Sequence, residues 1–183
     1  MKIACLGWGS LIWNPQKFEK QLKAKDWNSD GPLAPIEFAR QSNNGRITLV
    51  IEPTAVPVKL LWNIMTTTDL KSARDALGDR EGIHPSQWES LIGTWERGNQ
   101  EPELIQNLSQ WATKQDLDAV VWTALGPKFN NRNTLPSIEQ VLEYLNGLTG
   151  DKCIKSKEYI ECAPQQIDTE YRRQIKADLR WGC

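Results

Sequence analysis

The amino-acid sequence predicts an α+β fold, a single domain over residues 1–183 with a mostly antiparallel sheet and flanking helices. Three observations carry this. Residues 36–51 hold two apolar segments, the first alternating at period two, around Asn43-Asn44-Gly45, a strong hairpin turn. From residue 68 the apolar period lengthens to that of helices, with capping residues at the starts of segments. Between those helices, Asp118–Leu125 is a near-continuous apolar run ended by Gly126-Pro127, as in a buried strand.

In chain order, Lys2–Leu6 reads as a buried strand ended by glycines. Pro15–Lys25 places Phe18 and Leu22 at i, i+4 among lysines, which suits a short amphipathic helix or turn. Ile36–Arg40 and Arg46–Ile51 are the hairpin strands, and Val56–Met65 is a third apolar strand. Thr68 or Asp69 caps a helix through Leu70, Ala73 and Leu77, with Gly78 as its stop. Leu104, Leu108, Trp111 and Ala112 share one face of a helix over Glu103–Lys114. Ser137 and Gln140 form a capping box for a helix over Ile138–Leu145. Ile167, Tyr171, Ile175 and Leu179 define a C-terminal helix within residues 165–181, and the Trp-containing segment 86–114 is read as a helical insertion or lid.

Composition removes several function classes. With 39% hydrophobic and 25% charged residues the chain suits a soluble globular domain. The formal charge is 22 − 23 = −1, and Tyr171-Arg172-Arg173, the nearest thing to a basic run, sits among acids and reads as a solvated helix face, so nucleic acid is not an expected partner. His84 is the single histidine, too few for paired-imidazole metal sites, and Cys5, Cys153, Cys162 and Cys183 lack Cys-x-x-Cys spacing, so neither a metal nor another cofactor is expected. No segment resembles a signal peptide or a membrane span, and the expectation is a cytoplasmic chain with reduced thiols.

The most informative segment is Gly7-Trp8-Gly9-Ser10-Leu11-Ile12-Trp13-Asn14-Pro15. Two glycines around one aromatic, directly after a strand, allow a sharp turn whose N–H groups suit an anion or a carbonyl oxygen; a plain turn under Trp8 and Trp13 is the alternative. It is not a dinucleotide fingerprint, because Ile12 stands where the third glycine belongs. Nor is it a phosphate-binding Walker loop or a Gly-x-Ser-x-Gly elbow. Asp79-Arg80-Glu81-Gly82 follows a predicted helix; charged residues there are commonly solvated.

The loop resembles the opening signature of the γ-glutamylcyclotransferase-like family, above all its ChaC-like branch, in which an aromatic-Gly-Ser-Leu turn, usually with tyrosine, follows the first strand. Here Trp8 replaces that tyrosine, an indole donor for a phenol hydroxyl. Arg80-Glu81 is similar to the family's Arg-Glu, and Pro136-Ser137, Gly147 and Tyr159 are similar to later landmarks. The resemblance implies a small, mostly antiparallel β-barrel or sheet with flanking helices. It further implies that Glu81 is the general acid/base and that Trp8, Gly9, Ser10 and Leu11 hold a γ-glutamyl group, which is cyclised to 5-oxoproline with release of an amine or peptide. Tyr159 joins the substrate-binding set by the same resemblance.

Arg40, with Arg46, is a further candidate for the substrate carboxylate, although arginines flanking a hairpin usually face solvent. The implied chemistry needs no histidine, since the substrate supplies its own nucleophile. A small-molecule substrate is the expected partner, with no membrane and with homodimerisation open. Two other readings stand beside this one: a non-catalytic protein of the same fold that binds a ligand or partner through its tryptophans, and a related lyase or amidotransferase acting on a γ-glutamyl adduct. The nine tryptophans read first as core, with Trp27, Trp88, Trp95, Trp111 and Trp181 in polar segments as candidate platforms.

Overall fold

A computed structural model describes residues 1–183. The chain is α+β and divides into two compact units, Met1–Ala34 with Lys59–Leu125, and Pro35–Val58 with Gly126–Cys183.

The first unit is built on a four-stranded sheet in the order β5-β1-β7-β6. Strand β1 (Ile3–Gly7) is buried throughout, which explains its unbroken apolar run. It pairs antiparallel with β5 (Leu61–Ile64) and parallel with β7 (Ala119–Thr123), so the sheet is mixed. A parallel pair needs a long crossover, and the chain between β1 and β7 supplies it. Strand β6 (Ile92–Glu96) pairs antiparallel with β7 at the sheet edge. Segment 86–114 thus contributes a strand to the sheet as well as the short helices α2 (Trp88–Leu91) and α3 (Leu108–Lys114).

Helix α1 (Leu70–Arg80) is capped by Asp69, whose carboxylate accepts from the Ser72 amide at 2.8 Å. Its Ala73 and Leu77 pack against Ile3, Cys5, Ile92, Ala119 and Val121 of the sheet, with Leu11, Phe18 and Leu22 closing the same core. Leu77 is fully buried, and truncating such a side chain costs about 2–5 kcal/mol. Phe18 sits on a 3₁₀ turn, Gln16–Gln21, where the sequence allows a short helix or a turn.

Most of a three-stranded antiparallel sheet, β3-β2-β4, belongs to the second unit; its strands are β2 (Leu33–Gln41), β3 (Ile47–Ile51) and β4 (Pro57–Lys59). The β2–β3 hairpin turns through Gly45, whose φ of +79° is left-handed. Helices α4 (Ile138–Asn146), α5 (Gly150–Cys162) and α6 (Glu170–Asp178) complete the unit. The Ser137–Gln140 capping box is formed as the sequence predicts.

Several expectations need correction. The strands form two open sheets and no closed barrel. The strand expected over Val56–Met65 breaks at Leu60, whose N–H donates to the Pro32 carbonyl at 2.9 Å and whose carbonyl accepts from Gly31, so β4 and β5 join different sheets. Gly78 does not end α1. It is buried inside the helix because the Trp88 indole lies on it, and a Cβ there would stand 2.3 Å from the ring. The thiols are not all reduced, since Cys153 on α5 is bridged to Cys183 while Cys5 and Cys162 stay free. Arg172 is not on a solvated face; its buried guanidinium donates to the carbonyls of Ile160, Ala163, Pro164 and Ile167. None of the nine tryptophans is exposed, and Trp8, Trp62, Trp95 and Trp122 are buried. No helix is long and apolar enough to cross a membrane.

Candidate functional site

The C-terminus of α1 is closed by Gly82. With φ of +67° it occupies the left-handed position after the helix, its N–H donates to the Asp79 carbonyl, and the Ile83 N–H reaches back to the Gly78 carbonyl, both at 3.0 Å. This pair of bonds ends a helix in the Schellman manner and fixes the direction of the two preceding residues. Those residues are Arg80, the last of the helix, and Glu81, its cap.

The loop after β1 is equally constrained. The Ile12 N–H donates to the Gly9 carbonyl at 3.0 Å and the Asn14 N–H to the Ser10 carbonyl at 2.8 Å. These two bonds close the turn, and the amides of Gly9, Ser10 and Leu11 lie outside them. Trp8 and Leu11 are buried, and Leu11 anchors the loop in the core shared with α1. Gly9 and Ser10 are half-buried. Gly7 also has a steric role, since a Cβ there would stand 2.7 Å from the Trp27 ring.

Arg80 ties the two segments together. One terminal nitrogen, Nη1, lies 3.0 Å from Glu81 Oε1, while Nη2 donates to Ser10 Oγ at 3.2 Å and to the Asn14 carbonyl at 2.8 Å. Side-chain exposure is 10% for Arg80 and 19% for Glu81, so this is a largely desolvated charge pair. Burial pushes the Glu81 carboxyl above the ordinary carboxylate range, and the adjacent Arg80 charge and hydrogen bond pull it partly back. Cys5 lies within the field of both. Burial and the Glu81 charge push its thiol well up, so it is held neutral and unreactive.

Of the anticipated residues, Glu81, Trp8, Gly9, Ser10 and Leu11 therefore belong to one neighbourhood of the first unit. Arg40 and Tyr159 belong to the second. Arg40 is half-buried instead of solvent-facing, and its Nη1 donates to the Gly126 carbonyl at 2.8 Å. Tyr159 is buried on α5. Its hydroxyl accepts from the Leu49 amide at 3.3 Å, its ring meets Phe38 edge-on, and the Arg46 guanidinium stacks over it 5.3 Å from the centroid. The second unit also has a cleft of about 280 Å³ lined by Phe129, Asn130, Arg132, Thr134 and Gln140, which includes no anticipated residue.

In the sequence Arg80 stands out only as part of the Arg80-Glu81 motif, with no function of its own. A basic residue in the last helical turn beside an acidic cap is a usable signal, but its partner Ser10 is seventy positions away in the chain. Comparison of the chain with protein-family models, with curated proteins and with solved structures gives no match.

Proposed function

We propose that the chain is a γ-glutamylcyclotransferase-like enzyme that cyclises a γ-glutamyl amine or peptide to 5-oxoproline. The observation that carries this reading is a largely desolvated carboxylate, Glu81, tied through one guanidinium to the glycine loop that the resemblance assigns to the substrate. A proton shuttle operating near neutrality needs a carboxyl titrating above its usual range, and burial moves Glu81 in that direction.

In this reading Glu81 accepts a proton from the substrate's α-amine as its nitrogen attacks the γ-carbonyl carbon. A tetrahedral oxyanion forms, the bond from that carbon to the leaving nitrogen breaks, and the proton held on Glu81 passes to the departing amine. The products are a five-membered lactam and a free amine, with no redox change. The amides of Gly9, Ser10 and Leu11 supply donors for a substrate oxygen, and loop rigidity keeps them oriented before the reaction. Leu11 takes part through its backbone, because its side chain is committed to the core.

The test is a panel of γ-glutamyl amines and dipeptides, glutathione included, incubated with the protein and assayed for 5-oxoproline by mass spectrometry. Release from at least one member, with equimolar amine, is the expected result. If every member is bound without turnover, the non-catalytic reading replaces this one.

A further inference from the structure

Arg80 commits its tip to three acceptors on two segments far apart in sequence: the Glu81 carboxylate, the Ser10 hydroxyl and the Asn14 carbonyl. Its Nε, by contrast, is buried and makes no hydrogen bond. Leaving a buried donor unpaired is unfavourable, so the side chain's position is set by what its two terminal nitrogens hold. A guanidinium is planar and presents its donors in a fixed fork, which makes it suited to holding two groups at a set separation. A lysine could keep the charge but not the fork.

We propose that Arg80 is a positioning residue that locks the loop of residues 9–14 to Glu81. It sets both the reach of the carboxylate and the conformation of the loop amides. As a statement about catalysis this rests on the reading of Glu81 as proton shuttle; as a statement about the loop it does not. The charged or titratable groups facing Glu81 are Arg80 and Cys5, and the neutral thiol leaves Arg80 as the charged partner.

The experiment compares Arg80→Met, Arg80→Lys and Ser10→Ala with the parent protein. It uses three readouts: amide hydrogen exchange of residues 9–14, the titration midpoint of the Glu81 carboxyl by carbon NMR, and kcat and KM on whichever γ-glutamyl substrate is turned over. Arg80→Met should raise loop exchange by about tenfold or more. It should also move the Glu81 midpoint upward, since both effects of Arg80 lower it, and cut kcat by roughly ten- to a hundredfold with a smaller change in KM. Arg80→Lys should restore part of the midpoint shift but not the loop protection. Ser10→Ala, which carries little folding risk, should loosen the loop while leaving the Arg80–Glu81 pair intact.

Unchanged loop exchange and an unchanged midpoint in a folded Arg80→Met protein would overturn the proposal, whatever the activity. Should Arg80→Met not fold, unchanged exchange in Ser10→Ala overturns it instead. If the parent protein turns over no substrate but loop and midpoint respond as stated, the lock stands and the enzymatic reading is what fails.

Discussion

The Trp88 indole lies directly on Gly78, and its Nε1 donates to the Ile83 carbonyl at 2.8 Å. The contact clamps the end of α1 on both sides of Arg80 and Glu81. A residue without a Cβ is needed inside a helix here, at a propensity cost of about 1 kcal/mol relative to alanine, because the ring occupies that space. Gly78→Ala should therefore destabilise the protein despite alanine's better propensity, by about 1–3 kcal/mol, and shift Trp88 fluorescence. Denaturant unfolding measures the first effect; a stabilised variant would contradict the packing argument.

Glu81 gives a pH dependence with a defined sign. Its active form as a base is the carboxylate, so kcat/KM should rise with pH through a midpoint above the 4.5 of an unperturbed glutamate. For stability the sign is opposite. The unfolded chain gives up this proton first, so the group's contribution is intact below about pH 4.5 and declines as pH rises through its raised folded-state value. A kcat/KM profile with its midpoint at or below the unperturbed value would contradict the assignment.

Glu37 is a second buried carboxyl, serving structure. From β2 it accepts from the Thr169 hydroxyl, the Phe38 amide at 2.8 Å and the Tyr171 amide at 3.2 Å, closing the start of α6. Glu37→Ala would leave these donors without an acceptor, at about 1–3 kcal/mol for each one that stays buried. Glu37→Gln keeps an acceptor and should cost less. Burial raises the Glu37 carboxyl above its ordinary range, so Glu37→Gln should also flatten the fall in stability as pH rises from about 4.5. Urea melts of both variants at two pH values check the order and the slope.

The cysteines make a countable prediction. With Cys162 exposed, Cys5 buried and Cys153 bridged to Cys183, an alkylating reagent should label one thiol in the native protein, two after unfolding and four after unfolding with reductant. The bridge spans 30 residues, and a loop of that size is worth about 3.6 kcal/mol in the chain-entropy account, so reduction should lower the melting temperature. Four labels without reductant would show the bridge to be absent.

Features encoded locally were legible in the sequence. The first strand, the Asn-Asn-Gly hairpin, the Asp69 cap and the Ser137 capping box each depend on a few adjacent residues, and each is found where the pattern puts it. What the sequence hid depends on distant partners. The parallel pairing of β1 with β7, the break at Leu60 and the bridge at Cys183 all involve residues far apart in the chain. Helix α5 escaped because its buried face includes Ser156 beside Cys153, Tyr159 and Ile160, which blurs the apolar stripe, and because it begins at Gly150 with φ of +55° and no side-chain cap. For the candidate site, the loop and Glu81 could be read from motifs, whereas the guanidinium that joins them could be seen only once residues 10 and 80 were adjacent.

The most direct test of the central claim is the ratio of kcat/KM for 5-oxoproline release between the parent protein and Glu81→Gln, on the best γ-glutamyl substrate found. Glutamine is nearly isosteric and keeps an acceptor for Arg80, so it removes the proton shuttle with little change of shape. The expected ratio is about 10²–10⁴, the usual contribution of a positioned general acid/base. A ratio near one, with 5-oxoproline still released, would contradict the role given to Glu81.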